Sequence, residues 1–181
     1  MRWPQSLLDR EAGFAPEGPG APRTGRWARA RSQGSLLGLC YASRAARHLE
    51  ADDLATLVHQ AREKNLAREI TGCLVYGAGL VIQMLEGPPR NVLELFRQIR
   101  TDARHLDVHT ICAGPIHGRA FEGAPLECHD LDLGTFEHFE TLRDELSILY
   151  YSLEADWAEV LAFVEAVRNP LEAGESVMAI A

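Results

Sequence analysis

Ile70-Thr71-Gly72-Cys73-Leu74-Val75-Tyr76-Gly77-Ala78-Gly79-Leu80-Val81-Ile82-Gln83-Met84-Leu85-Glu86 decides the fold. Two apolar runs, residues 70–76 and 80–86, have the length and branched or aromatic content of buried strands. The glycines between them supply the positive φ angles of a tight hairpin, so the runs pair antiparallel. Downstream, Gly87-Pro88-Pro89 ends the second strand and pre-sets φ for a helix whose stripe is Val92, Leu95, Phe96 and Ile99. Upstream, Leu54, Leu57, Val58 and Ala61 mark a helix that opens on Asp52 and Asp53 and ends near Asn65, after a short apolar strand at residues 36–42. His109 to Ile116 reads as a fourth strand and Leu126 to Leu133 as a weaker fifth. The order β-α-β-β-α-β plus one strand is the α+β, ferredoxin-like plan, a four-stranded antiparallel sheet with both helices on one face. Residues 134–170 can cover the other face with two amphipathic helices, one carrying Phe136, Phe139, Leu142, Leu146 and Leu149, the other Trp157, Val160, Leu161, Val164 and Val167.

Charge divides the chain into the same pieces. The 181 residues hold 18 Lys and Arg against 26 Asp and Glu, a net charge of −8. Residues 1–34 carry +3, residues 35–136 carry −3 and residues 137–181 carry −8. The first segment has five Gly and four Pro and no hydrophobic period, so it is expected to be a disordered Arg/Gly/Pro-rich extension. The domain proper is then 35–133, followed by a helical cap and output segment over 134–181. An overall acidic surface with the single lysine Lys64 does not suit phosphate neutralisation, so no nucleic-acid partner is expected. No apolar run is long enough to cross a bilayer and no signal-peptide block opens the chain, so a cytoplasmic protein is expected. Cys40, Cys73, Cys112 and Cys128 form no C-x-x-C pair and read as small buried apolar residues rather than zinc ligands or disulfides. His105 and His109 are four apart but do not share a helix, and no H-E-x-x-H occurs, so no metal is expected.

Three polar residues stand where apolar ones belong. Asn65 follows Val58 by seven residues and Leu54 by eleven, which puts it within about 20° of each on the buried helix face. Gln83 interrupts a run apolar enough for a central strand, where an unpaired amide costs about 1–3 kcal/mol. Tyr41 shares a strand face with Leu37 and Leu39, so its hydroxyl also needs a partner. Each alone could be satisfied by its neighbours. Together, with the first and third strands central and the first helix over them, they can converge on one pocket. Two amides and a phenol suit a planar ligand with an imide-like edge better than a metal or a phosphate.

Leu37-x-Leu39-x-Tyr41-x-Ser43, the helix ending in Asn65, Ile70-Thr71-Gly72-Cys73-Leu74-Val75-Tyr76, Gln83-Met84-Leu85-Glu86-Gly87, Ile99-x-x-Asp102-x-Arg104-His105 and Arg119-x-Phe121 together resemble a BLUF domain, the blue-light sensor that uses FAD. The resemblance covers about residues 35–130. It implies non-covalent FAD between the two helices and the sheet, with Asn65 on the flavin's pyrimidine edge and Gln83 between Tyr41 and the N5/O4 edge. It implies that light drives an electron and a proton from Tyr41 through Gln83, leaving that amide rearranged and the flavin's absorption reversibly red-shifted. Ser43, Lys64, Asp102 and Arg104 fall where family members line the flavin or its ribityl-phosphate chain. Ala124 and Leu126 stand where many members carry Trp and Met, so the signal is expected to run through the sheet to the covering helices. The reading is a photoreceptor, not an enzyme, that passes its state to an unidentified protein partner or through self-association. Two alternatives remain: a flavin-free BLUF-like interaction module, and an acylphosphatase-type enzyme, which lacks its glycine-rich phosphate loop at Ser43-Arg44-Ala45-Ala46-Arg47.

Overall fold

A computed structural model describes residues 36–133, 137–152 and 155–168. The elements in chain order are Leu36–Ala45 (β1), Ala51–Leu66 (α1), Thr71–Gly77 (β2), Leu80–Gly87 (β3), Pro89–Thr101 (α2), His105–Ile116 (β4), Glu127–Asp130 (β5), Glu137–Tyr151 (α3) and Trp157–Arg168 (α4). The expectations for residues 1–34, for Phe136 and for the Phe139 side chain fall outside the described residues.

The hairpin forms as its sequence requires, with Cys73 opposite Met84 and Leu74 opposite Gln83. Its turn takes positive φ at Ala78 (50°) and Gly79 (75°), while Gly77 stays in β2. The left-handed alanine costs about 1–2 kcal/mol. Both Asp132 carboxylate oxygens accept its N–H, at 2.9 and 3.1 Å, and hold the turn in place.

The sheet order is β4-β1-β3-β2-β5, with β1 and β3 central and β5 added parallel to β2. Strand alternation divides the side chains between two layers. On one face Cys40, Ala42, Cys73, Val75, Ile82 and Met84 pack against Leu142 and Leu146 of α3 and Val160, Val164 and Val167 of α4. Gly38 admits the Trp157 ring, which a Cβ would meet at 2.9 Å. On the other face Tyr76, Val81 and Leu126 pack with Leu54 and Val58 of α1. The two C-terminal helices therefore cover the sheet face that α1 and α2 leave open, as the sequence predicts.

Three strand bounds differ from expectation by three residues or more, the first being that of β1, which continues to Ala45 rather than ending at 42. β4 begins at His105 rather than His109, because Ala45 and Arg44 of β1 pair with His105 and Leu106 across an irregular register. Asp107 takes a positive φ of 53° there, and such a bulge hides an edge strand from any period-two reading. β5 stops at Asp130 rather than Leu133: the Leu131 N–H still bonds Tyr76 O at 2.8 Å, and then Asp132 turns away to cap the hairpin.

Candidate functional site

α1 and α2 present only part of their apolar stripes to the sheet. Leu54, Val58, Val92 and Phe96 are buried, whereas Leu57, Ala61, Leu95 and Ile99 are half-buried and line a cavity between helices and sheet. Its volume is about 610 Å³, within the range of small-molecule and cofactor pockets. Tyr41, Asn65, Gln83, Lys64, Asp102 and Arg104 all line it, so six of the seven residues singled out from sequence come together.

Tyr41 and Gln83 are direct partners across the central β1–β3 ladder and so share a face. The Tyr41 hydroxyl donates a short hydrogen bond to Gln83 Oε1. Tyr41 is wholly buried between Phe96, 5.5 Å away by ring centroids, and His105, 6.1 Å away edge-on. Burial pushes its hydroxyl well above the usual tyrosine range, so it holds its proton as a neutral phenol. The Gln83 amide nitrogen has no hydrogen-bond partner among the described residues and belongs to the cavity wall.

Asn65 is 2 % exposed and bonds neither Tyr41 nor Gln83. Its Nδ2 donates to Pro125 O at 2.9 Å, which leaves Oδ1 without a partner among the described residues. Two buried amides thus show the cavity one spare donor and one spare acceptor. A buried amide left so in the mature protein costs free energy, and an imide-bearing ring answers both groups.

The cavity mouth is charged. Arg104 Nε reaches the two Asp102 oxygens at 2.9 and 3.1 Å, and that bond holds the Asp102 carboxyl down at about 2. Arg47 pairs with Asp53 at 2.6 Å, and Lys64 makes no ion pair among the described residues. Ser43 is not part of the lining; its Oγ lies 2.8 Å from His105 Nδ1, and His105 lines the cavity in its place. Sequence reasoning missed His105, Phe96 and Arg47 as site residues. His105 belonged to a quoted motif, but the later strand start left it in a loop.

Glu86 and Arg119, letters of the same motifs, build the wall behind the site. The fully buried Glu86 carboxylate accepts from Ala120 N at 2.8 Å, Phe121 N at 3.1 Å and Thr71 Oγ1 at 3.1 Å. Arg119 donates to Glu86 O at 2.8 Å and to Glu69 O at 2.7 Å, which pins the β4–β5 connection beneath the Gln83 strand.

This arrangement coincides with a match over residues 36–127 to the family of sensors of blue light using FAD. The chain belongs to the BLUF family. It is 35% identical over 145 residues to the photoactivated adenylate cyclase subunit alpha of Euglena gracilis, covering 78% of this chain and 14% of that protein. The BLUF protein BlrB, solved in its dark state, superposes with a TM-score of 0.61 at 28% identity, over 74% of this chain and 97% of BlrB. Klebsiella pneumoniae BlrP1, solved with FMN and cyclic diGMP, gives 0.56 at 28% identity, over 74% and 35% of the two chains. The chain spans only a small part of the curated relatives it matches, and the part it shares is the BLUF sensor module, which is not itself an enzyme. Among the described residues no helix is long and apolar enough to cross a membrane.

Proposed function

We propose that this BLUF domain holds FAD non-covalently in the α1/α2 cavity, registers blue light through Tyr41 and Gln83, and passes its state to a separate protein. The observation that carries the reading is the Tyr41–Gln83 hydrogen bond at the wall of a flavin-sized cavity. When bound, the flavin supplies blue-light absorption and a photo-oxidising centre. Asn65 would accept from the imide edge of the ring through its spare Oδ1, and Gln83 would donate to the N5/O4 edge through its spare Nε2. Tyr41 would be the electron donor to that centre, and the hydrogen bond already in place gives its proton a path to Gln83 Oε1. Once electron and proton had returned to Tyr41, a rearranged Gln83 amide would hold the changed state, because an amide has a donor end and an acceptor end and one rearrangement inverts the local pattern.

Lys64 and Arg104 stand at the mouth for the phosphates, and Asp102 fixes the Arg104 fork. Ser43 acts at one remove by orienting the His105 ring beside Tyr41. Paired charges at a mouth that also includes Arg47 suit a pyrophosphate-bearing flavin, and acid extraction followed by chromatography distinguishes FAD from FMN.

Output is proposed to leave through β5. Asn65 holds Pro125 O and Arg62 Nε holds Leu126 O at 2.9 Å, both from α1, while Glu127 is clamped by Arg168 of α4. The exposed acids Glu140, Asp144, Glu145, Glu159 and Glu165 give α3 and α4 an acidic outer surface for a basic partner.

The test is optical. Purified protein should be yellow, with an oxidised-flavin spectrum that red-shifts under blue light and reverts in darkness; protein that stays colourless after FAD loading overturns the reading. Tyr41→Phe should keep the colour and lose the shift. A normal photocycle in that variant removes Tyr41 from the mechanism. Unchanged hydrogen exchange of α3 and α4 between dark and light would reject the β5 route.

A further inference from the structure

His129 lies on the sheet face away from the cavity and has no role there. It is 6 % exposed, and neither of its ring nitrogens has a hydrogen-bond partner among the described residues. A buried imidazole without partners is costly and calls for an explanation. β5 alternation puts Glu127 on the same face as His129, and the parallel register sets Cys73 of β2 beside Glu127. One ligand atom each from Cys73, Glu127 and His129 lies within 4.8 Å of the others, and His129 Nε2 is 3.6 Å from Glu127 Oε2.

We propose that Cys73, Glu127 and His129 bind one borderline-soft divalent cation, Zn²⁺, at the junction of β2, β5 and α4. Thiolate, imidazole and carboxylate are zinc's ordinary ligands, and tetrahedral bonds of about 2.0–2.3 Å need ligand atoms roughly 3.3–3.8 Å apart. The cluster therefore closes by about 1.5 Å at most, and the half-exposed Glu127 side leaves the fourth position open to water. Arg168 lies against this site, with Nε and Nη2 at 2.8 and 2.5 Å from the Glu127 oxygens. Its charge does not exclude the cation, because Glu165 pairs with Arg168 at 2.7 Å. Zn²⁺ with one thiolate, Glu127, Arg168 and Glu165 sums to zero. Glu127 then turns one oxygen to the metal and keeps the other on Arg168, which becomes the outer partner that orients a metal-bound carboxylate. Occupancy would thus alter the contact that ties α4 to the sheet. None of its ligands lines the cavity, so cation binding can be tested independently of flavin, while Glu127 is shared with the proposed output route through β5.

The full chain, stripped with a chelator, is titrated with Co²⁺ and followed spectroscopically, then back-titrated with Zn²⁺. The expected result is one Co²⁺ per chain, with a thiolate-to-cobalt charge-transfer band and tetrahedral d–d bands to the red of any flavin absorption, all removed by Zn²⁺. Cys73→Ala should abolish the charge-transfer band and Cys128→Ala should leave it. Glu127→Gln and His129→Asn should each lower affinity about tenfold or more while circular dichroism stays native. These two serve as the test if Cys73→Ala does not fold. Absence of the band in the parent protein, its survival in Cys73→Ala, or unchanged affinity in both other variants overturns the proposal.

Discussion

Replacing Glu86 by Gln tests whether the β4–β5 connection hangs on one buried carboxylate. Oε1 takes Ala120 N, while Oε2 takes Phe121 N and Thr71 Oγ1. The best a glutamine can do is keep its carbonyl at the two-bond position and turn its NH₂ toward Ala120 N–H, so that a donor faces a donor. That loses one charge-assisted bond and sets an NH₂ donor against the Ala120 N–H at the fully buried Glu86 side-chain position. Together these cost about 2–4 kcal/mol. At about 2–4 °C per kcal/mol for a chain of this length, the melting temperature should fall by roughly 4–16 °C. Thermal melts followed by circular dichroism measure it, with exposed Glu94→Gln on α2 as a control that should change stability by less than about 0.5 kcal/mol. If Glu86→Gln melts together with that control, the three bonds do not hold the connection.

Gly72→Ala should destabilise by about 4 kcal/mol or more, because its Cβ would stand 2.0 Å from Met84 O and force β2 off β3 beside Gln83; an unchanged denaturant midpoint would contradict this. Burial raises the Tyr41 pKa above the unfolded value near 10, so its contribution to stability is complete below about pH 10 and is lost as pH rises beyond it. Urea midpoints through that range should fall in the parent and fall less in Tyr41→Phe. Burial lowers the His105 pKa, so its contribution is complete above about pH 6.5 and declines as pH falls through that value. His105→Gln should flatten the acid limb. Asn65→Ala should weaken flavin retention during gel filtration by about tenfold or more, through loss of one buried hydrogen bond to the ring; undiminished retention would remove Asn65 from the site.

Elements whose apolar period was unbroken were legible, and the site was legible through its exceptions to that period. Tyr41 and Gln83 are recognisable because a central strand tolerates polar groups only when they are paired, and they prove to be each other's partners. The Leu57 and Leu95 positions read as core, since sequence periodicity does not distinguish a residue packed on the sheet from one lining a cavity beside it. His105 and the Ser43 contact were hidden by the bulge at Asp107, which breaks strand alternation where β4 begins. The Pro125 carbonyl that takes Asn65 was unreadable because a backbone acceptor leaves no mark in composition.

β5 owes its place in the proposed output route to being short and at an edge. Four residues with a pairing partner on one side only have fewer ladder bonds to resist a shift than β1 or β3, which are held on both sides. Consecutive residues of a strand point to opposite faces. Leu126, just before the strand, lines the cavity, and the next residue, Glu127, grips Arg168, whose guanidinium lies 4.7 Å from the Phe121 ring. A change in what Asn65 and Leu126 touch therefore has only one residue to travel before it reaches the clamp on α4. The identities of the Ala124 and Leu126 side chains then matter less to this route than the backbone between them, since the bonds from α1 are made to the carbonyls of Pro125 and Leu126.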